Sequence, residues 1–242
     1  MSDVSAISPP AFRAEIKLFS AFAIRPAILN LVASFEQETG IRVTPEFDLN
    51  PRIKKRIEAG ELFDMVAMNA DVVDDLIKQG KVTPQGRRPF GRVGLGVAIR
   101  AGSPRPDVST VEGLRRTLQN ATSIAYTSEG SSGAILTAVL AQLGIWDEVQ
   151  QKLKSVGGGE TGHVVARGDA ELGIVPVTTI LVAAPGAELA GMFPAALQCY
   201  IDFDIALSTS ASHARHCLAL ADFLMRAEED DMLQSKGVER RA

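Results

Sequence analysis

The six residues 128–133 read SEGSSG, three serines and two glycines around one glutamate. Ser128, Ser131 and Ser132 supply hydroxyl donors. Gly130 and Gly133 let backbone come close to a ligand. Just beyond, Ile135, Leu136, Val139, Leu140 and Leu143 fall on one helical face, and Gly144 is a natural stop. A helix that opens on such a loop presents four N–H groups with no internal partner and the positive end of its dipole. Uncharged donors at that terminus form a cradle for an anion. The plainer reading of the same serines is an N-cap and nothing more.

Groups able to move protons are sparse. His163 follows the GGGETG run, and Glu129 and Glu160 lie near the same loops. His213 and His216 sit three apart without a third ligand, which suits the surface of a helix better than a metal. Cys199 and Cys217 are too few for a disulfide framework. They can pair, but two free buried thiols are the simpler expectation. No Walker A, GxGxxG, GxSxG or HExxH pattern occurs, so neither a cofactor nor a metal is expected. A net charge of −4 without a long basic run argues against nucleic acid as the main partner.

The chain has 242 residues, enough for one large domain or two modest lobes. No stretch of eighteen apolar residues calls for a membrane span. The opening MSDVSAISPPAFRAE lacks a basic region followed by an apolar run, so it does not read as a secretory signal. The expectation is therefore a cytoplasmic chain, or one whose leader precedes this sequence. Residues 1–13 read as a flexible arm.

The elements that must position the loop alternate strand and helix. Strands are expected near 16–19, 41–47, 63–68, 93–99, 123–126, 171–176, 188–193 and 203–207. Helices are expected near 24–39, 51–59, 71–79, 110–118, 134–143, 146–153, 161–167 and 212–226, with Ser109-x-x-Glu112 as a capping box. Residues 83–92, rich in Pro, Gly and Arg, read as a loop. Such alternation predicts an α/β protein with largely parallel sheets, whose ligands bind beyond the strand ends. Residues 20–22 and 128–133 stand at two such junctions.

Five pieces, in this order, carry a family resemblance: LFSAFAIRPAILNLVASFEQETGIRV, FDLNPRIKKRIEAGELFDMVAMN, GRVGLGVAIRAGSP, IAYTSEGSSGAIL and RGDAELGIV. Together they resemble the type II periplasmic binding proteins, and among these the molybdate-binding branch. The resemblance covers about residues 15–238. It implies an α/β, two-lobed type II periplasmic binding protein fold, with residues 14–92 and 203–242 as lobe one and 93–202 as lobe two. Two crossing strands would join the lobes, and a ligand would sit in the cleft. Carried over by position, the ligand-binding residues are Ser20 with Ala21 and Phe22, then Asn50, then Ser131, Ser132 and Gly133, then Val175 and Pro176. Asn50 stands where the family has serine, and Pro176 where it has tyrosine. Gly60 and Asp64 match a structural segment.

Two functions follow as expectations. The first is capture of a small anion, either a molybdate-like oxyanion or a small carboxylate, by a monomer serving an ABC-type transporter. Periplasmic placement comes with that resemblance. The second is cofactor-independent isomerisation of small unsaturated carboxylates, since the chain is also similar to aconitate isomerase of the same fold. Tetrahedral dianions can be held by neutral donors alone, whereas polycarboxylates recruit arginine, whose fork matches them. Arg25, Arg52 and Arg92 lie near the expected cleft loops, where a solvated surface role is the competing reading.

Overall fold

The computed structural model describes residues 14–241; the arm expected over residues 1–13 lies outside them. Strand β1 (Glu15–Ala21) passes through a 3-10 turn (Phe22–Ile24) into helix α1 (Arg25–Thr39), then β2 (Arg42–Asp48) and α2 (Asn50–Glu58). Next come β3 (Met65–Asn69), α3 (Ala70–Lys78) and the long β4 (Val82–Arg100). Helix α4 (Val111–Asn120), β5 (Ile124–Tyr126), α5 (Ser131–Gln142) and α6 (Trp146–Val149) follow. Then β6 (Leu153–Ser155), α7 (Thr161–Arg167), β7 (Leu172–Pro176), α8 (Val177–Val182) and β8 (Ala187–Met192). The chain closes with β9 (Tyr200–Ser208), α9 (Ala214–Leu224) and α10 (Asp230–Ser235).

The sheet runs β2-β1-β3-β9-β4-β7-β5-β6, with β8 also on β4. Its flanks are parallel: β1 with β2 and β3, β5 with β6 and β7. Its centre is antiparallel, because β4 and β9 run against each other and against their other neighbours. The parallel expectation therefore holds at the flanks and gives way in the middle. Strand β4 changes partners along its length. It pairs β9 as far as Gly94 and takes up β7 from Leu95.

Burial explains why these segments took these forms. Strand β3 is buried at all five positions, as a strand covered on both faces must be. In α1, Ala27, Ile28, Leu31, Val32 and Phe35 bury one stripe, and Gly40 ends the helix in the left-handed region at φ 66°. Pro45 lies on β2, an edge strand, where its missing N–H is tolerated.

Several boundaries differ from expectation. Residues 83–92 are strand rather than loop, because β9 supplies partners across two register shifts that absorb Pro84 to Arg87 and Phe90. The cap of α4 is Thr110, whose Oγ1 accepts from Gly113 N, while the Ser109 hydroxyl donates to Asp107. The helix expected over 146–153 is one α turn, Trp146–Val149, continued by a 3-10 turn over Gln150–Lys152 before β6 begins at Leu153. Helix α8 carried no sequence signal, since Val177–Val182 is β-branched at five of its six positions and reads as strand. Both cysteines are free, as expected, but Cys199 is exposed and only Cys217 is buried.

Charges knit the outer face of β1. Arg56 donates to Glu61 and Glu46, and Lys17 bridges the same two carboxylates. The Arg56 hydrogen bond, then that of Lys17, holds the Glu61 carboxyl down from its ordinary 4.5 to about 2. A pKa depressed in the folded state contributes stability that is complete above the ordinary value and vanishes as pH falls through the depressed one. Glu61→Gln is therefore expected to destabilise at neutral pH, with the gap to wild type closing between about pH 4.5 and about pH 2. Urea melts across that range check it. The pair is partly exposed, so solvent screening keeps the effect modest.

Candidate functional site

The strand ends and helix starts converge on one small cavity of about 50 Å³. Ala21 and Phe22 reach it from the end of β1, Asn50 from the start of α2, and Asn69 from the end of β3. Thr127, Ser131 and Ser132 reach it from the β5–α5 junction, and Pro176 from the end of β7. Among the described residues, its lining includes no lysine, arginine or histidine.

A chain of amides and hydroxyls ties the two sides together. Asn50 Nδ2 donates to Asn69 Oδ1 at 2.7 Å, and Asn69 N donates back to Asn50 Oδ1 at 3.1 Å. Asn69 Nδ2 then donates to Ser131 Oγ at 2.6 Å. With Ser131 Oγ accepting, its own proton is free for a ligand. Gly133 and Ala134 turn their N–H groups onto the Gly130 carbonyl, leaving those of Ser131 and Ser132 for whatever fills the cavity. These amides carry the dipole of a twelve-residue helix.

Two carboxylates stand close by. Asp48 lines the cavity, and its Oδ1 accepts from Leu49 N at 2.8 Å. Glu129 sits on the rim and takes a forked contact from Arg52, Nε at 3.0 Å and Nη2 at 2.8 Å. That hydrogen bond, with the fields of Glu129 and Asp48, holds the Arg52 guanidinium more firmly charged than usual. The negative charge in the serine loop is thereby matched by a cation from α2.

Seven expected residues line the cavity: Ala21, Phe22, Asn50, Ser131, Ser132, Val175 and Pro176. Three do not. Ser20 lies within β1, fully buried, and its Oγ has no hydrogen-bond partner among the described residues. Ser128 points outward and shares a hydrogen bond with Ser155 at 2.6 Å. Gly133 sits behind the lining, where a Cβ would stand 2.4 Å from the Thr127 carbonyl oxygen. Its contribution is close packing that lets α5 start where it does. Asp64 is structural, its carboxylate accepting from Lys17 N and Ser212 N.

Asp48, Asn69, Thr127 and Thr179 are the polar lining residues that sequence reading missed. Asp48 ends β2, Asn69 ends β3 and Thr127 directly follows β5, each just before a loop or helix, which is the signal that picked out residues 20–22. Asn69→Ala removes two of the three hydrogen bonds in the chain. Each is worth about 0.5–1.5 kcal/mol net, so about tenfold weaker anion binding is expected by calorimetry, with the fold intact.

A second chamber of about 220 Å³ opens beside the first and shares Phe22, Gly159 and Thr179 with it. Its remaining wall includes Arg25, Glu160 and His163. Arg52 and Arg92 are both engaged, the latter with Glu239 and the Tyr200 ring. Among the described residues, the Arg25 guanidinium lies over the Phe47 ring, 5.6 Å from its carbon.

The profile of a family described as bacterial extracellular solute-binding protein matches residues 16–239. An aconitate isomerase from a Pseudomonas species is 27% identical over 229 residues, spanning 92% of this chain and 87% of that one. The periplasmic molybdate-binding protein of Azotobacter vinelandii superposes with a TM-score of 0.79 at 19% identity, over 94% of this chain and all of its own. A sulfate-binding protein of Mycobacterium tuberculosis gives 0.75 at 17% identity, over 94% of this chain and 87% of that one.

Proposed function

Because this chain belongs to the bacterial extracellular solute-binding protein family, we propose that it captures a small anion in the cavity between the β1, β3 and β5 strand ends. The α/β fold is that of the periplasmic binding proteins, the molybdate-binding ones included. The observation that carries the proposal is the lining: amides and hydroxyls from three converging junctions and no cation. Such donors hold an anion by charge-assisted hydrogen bonds, each about 1.5–3 kcal/mol.

In this reading residues 14–92 with 203–242 form one lobe and 93–202 the other. The partner switch of β4 at Leu95 supports that division. Asn50 and Asn69 belong to one side, Ser131 and Ser132 to the other. A ligand touching both favours the closed arrangement by its differential contacts, and the loaded protein would be what an ABC-type transporter reads. A melting-temperature panel across molybdate, tungstate, sulfate, phosphate and di- and tricarboxylates tests capture. A rise with ligand concentration is expected, and a flat response to every anion rejects it.

The relative at 27% identity favours a second reading, isomerisation of small unsaturated carboxylates. Moving a double bond along such a chain takes a proton from one carbon and returns one to another, which needs a positioned acid and base. Asp48 in the cavity, with His163 and Glu160 in the adjoining chamber, are the groups available. Proton NMR of cis- and trans-aconitate with purified protein decides it, and absence of interconversion removes this reading while leaving capture intact.

A further inference from the structure

We propose that the outer chamber is a second anion subsite, centred on Arg25, and that the preferred ligand is an elongated di- or tricarboxylate rather than a compact oxyanion. This rests on the capture reading and names its substrate class. The inner cavity of about 50 Å³ has room for roughly four water-sized groups, at about 10–15 Å³ each. That accommodates one carboxylate head and little more. The outer chamber is more than four times larger and adjoins the inner one, sharing Phe22, Gly159 and Thr179 with it.

At the wall the two spaces share, glycine backbone packs closely against Leu49 and Phe22. A Cβ on Gly158 would stand 3.0 Å from Leu49 Cδ2 and 3.2 Å from Phe22 Cδ2. Gly159 adopts φ +81°, which disfavours any side chain. The flat Phe22 ring thus borders both spaces, a surface against which a planar, unsaturated carbon chain can lie.

Charge distinguishes the two ends. The inner end offers neutral donors, and its one lining carboxylate, Asp48, accepts from Leu49 N. The outer end offers Arg25, which has no carboxylate partner among the described residues. Arginines elsewhere are committed: Arg52 to Glu129, Arg56 to Glu46 and Glu61, Arg226 to Glu38 and Arg241 to Asp204. A free guanidinium beside a cavity that already favours anions is suited to a second carboxylate, which its fork matches in geometry. His163 adds a further nitrogen on the same wall. Glu160, also on that wall, repels a ligand anion and confines the second head to the Arg25 side.

The test is calorimetric titration of wild type, Arg25→Ala and Arg25→Lys with molybdate, sulfate, succinate, tricarballylate and trans-aconitate. Arg25 is exposed in the first turn of α1, and matched melting temperatures of the variants check that the fold survives. Wild type is expected to bind at least one carboxylate about tenfold tighter than either oxyanion. Arg25→Ala is expected to weaken that carboxylate about ten- to hundredfold while leaving oxyanion binding within about twofold, and Arg25→Lys to recover part of the loss. Tighter oxyanion binding, or equal losses for both classes in Arg25→Ala, overturns the proposal while capture stands. Failure of all five probes on wild type overturns both.

Discussion

Asp204→Ala is expected to cost about 3 kcal/mol of folding stability, the largest single loss foreseen for any polar position in this chain. Asp204 lies on β9 with 2% exposure. Arg87 Nε reaches one carboxylate oxygen at 2.5 Å and Arg241 Nη1 the other at 2.6 Å. Removing one partner of a buried pair costs about 3–5 kcal/mol, because the remaining charge loses its compensation. Both arginines keep about a quarter of their surface in water, which places the figure at the low end. Arg87 also holds Asp74, so it is not left wholly alone. Asp204→Asn keeps an acceptor and should lose less. Guanidinium denaturation of the three proteins measures this, and a loss under about 1 kcal/mol for the alanine variant would refute the pairing as described.

Gly133→Ala carries the second largest effect, and its sign is the informative part. At an exposed helical position the same change stabilises by roughly 1 kcal/mol, since alanine is the better helix former. Here the new Cβ would stand 2.4 Å from the Thr127 carbonyl oxygen and 3.0 Å from Ser128 Cα, both backbone atoms. Backbone cannot rotate away as a side chain does. The start of α5 must part from the β5 end, at a cost of about 1–3 kcal/mol. The Ser131 and Ser132 amides move with it, so anion affinity is expected to fall at least about tenfold, or 1.4 kcal/mol. A variant that melts higher than wild type and binds as well would show that the junction is looser than this geometry.

The sequence was most legible where one signal dominated. The stripe of α1 and its closing glycine, the buried β3 and the edge position of Pro45 all follow from periodicity and backbone chemistry. The serine loop opening α5 was legible for the same reason, as a polar junction between an apolar strand and an apolar helix. Legibility ended where tertiary pairing overrode local preference. Residues 83–92 look like a loop, yet β9 draws them into a strand through bulges that no local rule foretells. Ser20 and Asn69 show the same limit at the site. Asn69 is the last residue of β3, but Ser20 is one short of the end of β1 and pairs with Ala67, two residues before Asn69 on the same face. That offset keeps Ser20 Oγ buried inside the sheet and leaves Asn69 at its edge to join Asn50 with Ser131.

The Arg52–Glu129 fork has a kinetic corollary under the capture reading. It is an exposed ion pair, with more than half of each side chain in water. It fastens the first turn of α2 to the loop ahead of α5, two segments whose neighbouring residues Asn50 and Gly130 line the cavity. Added salt, whose screening length is about 8 Å at 0.15 M, loosens such a latch without touching the donors inside. Dwell time, more than the strength of the grip, then answers to ionic strength, and a saltier medium would hasten discharge of the cargo.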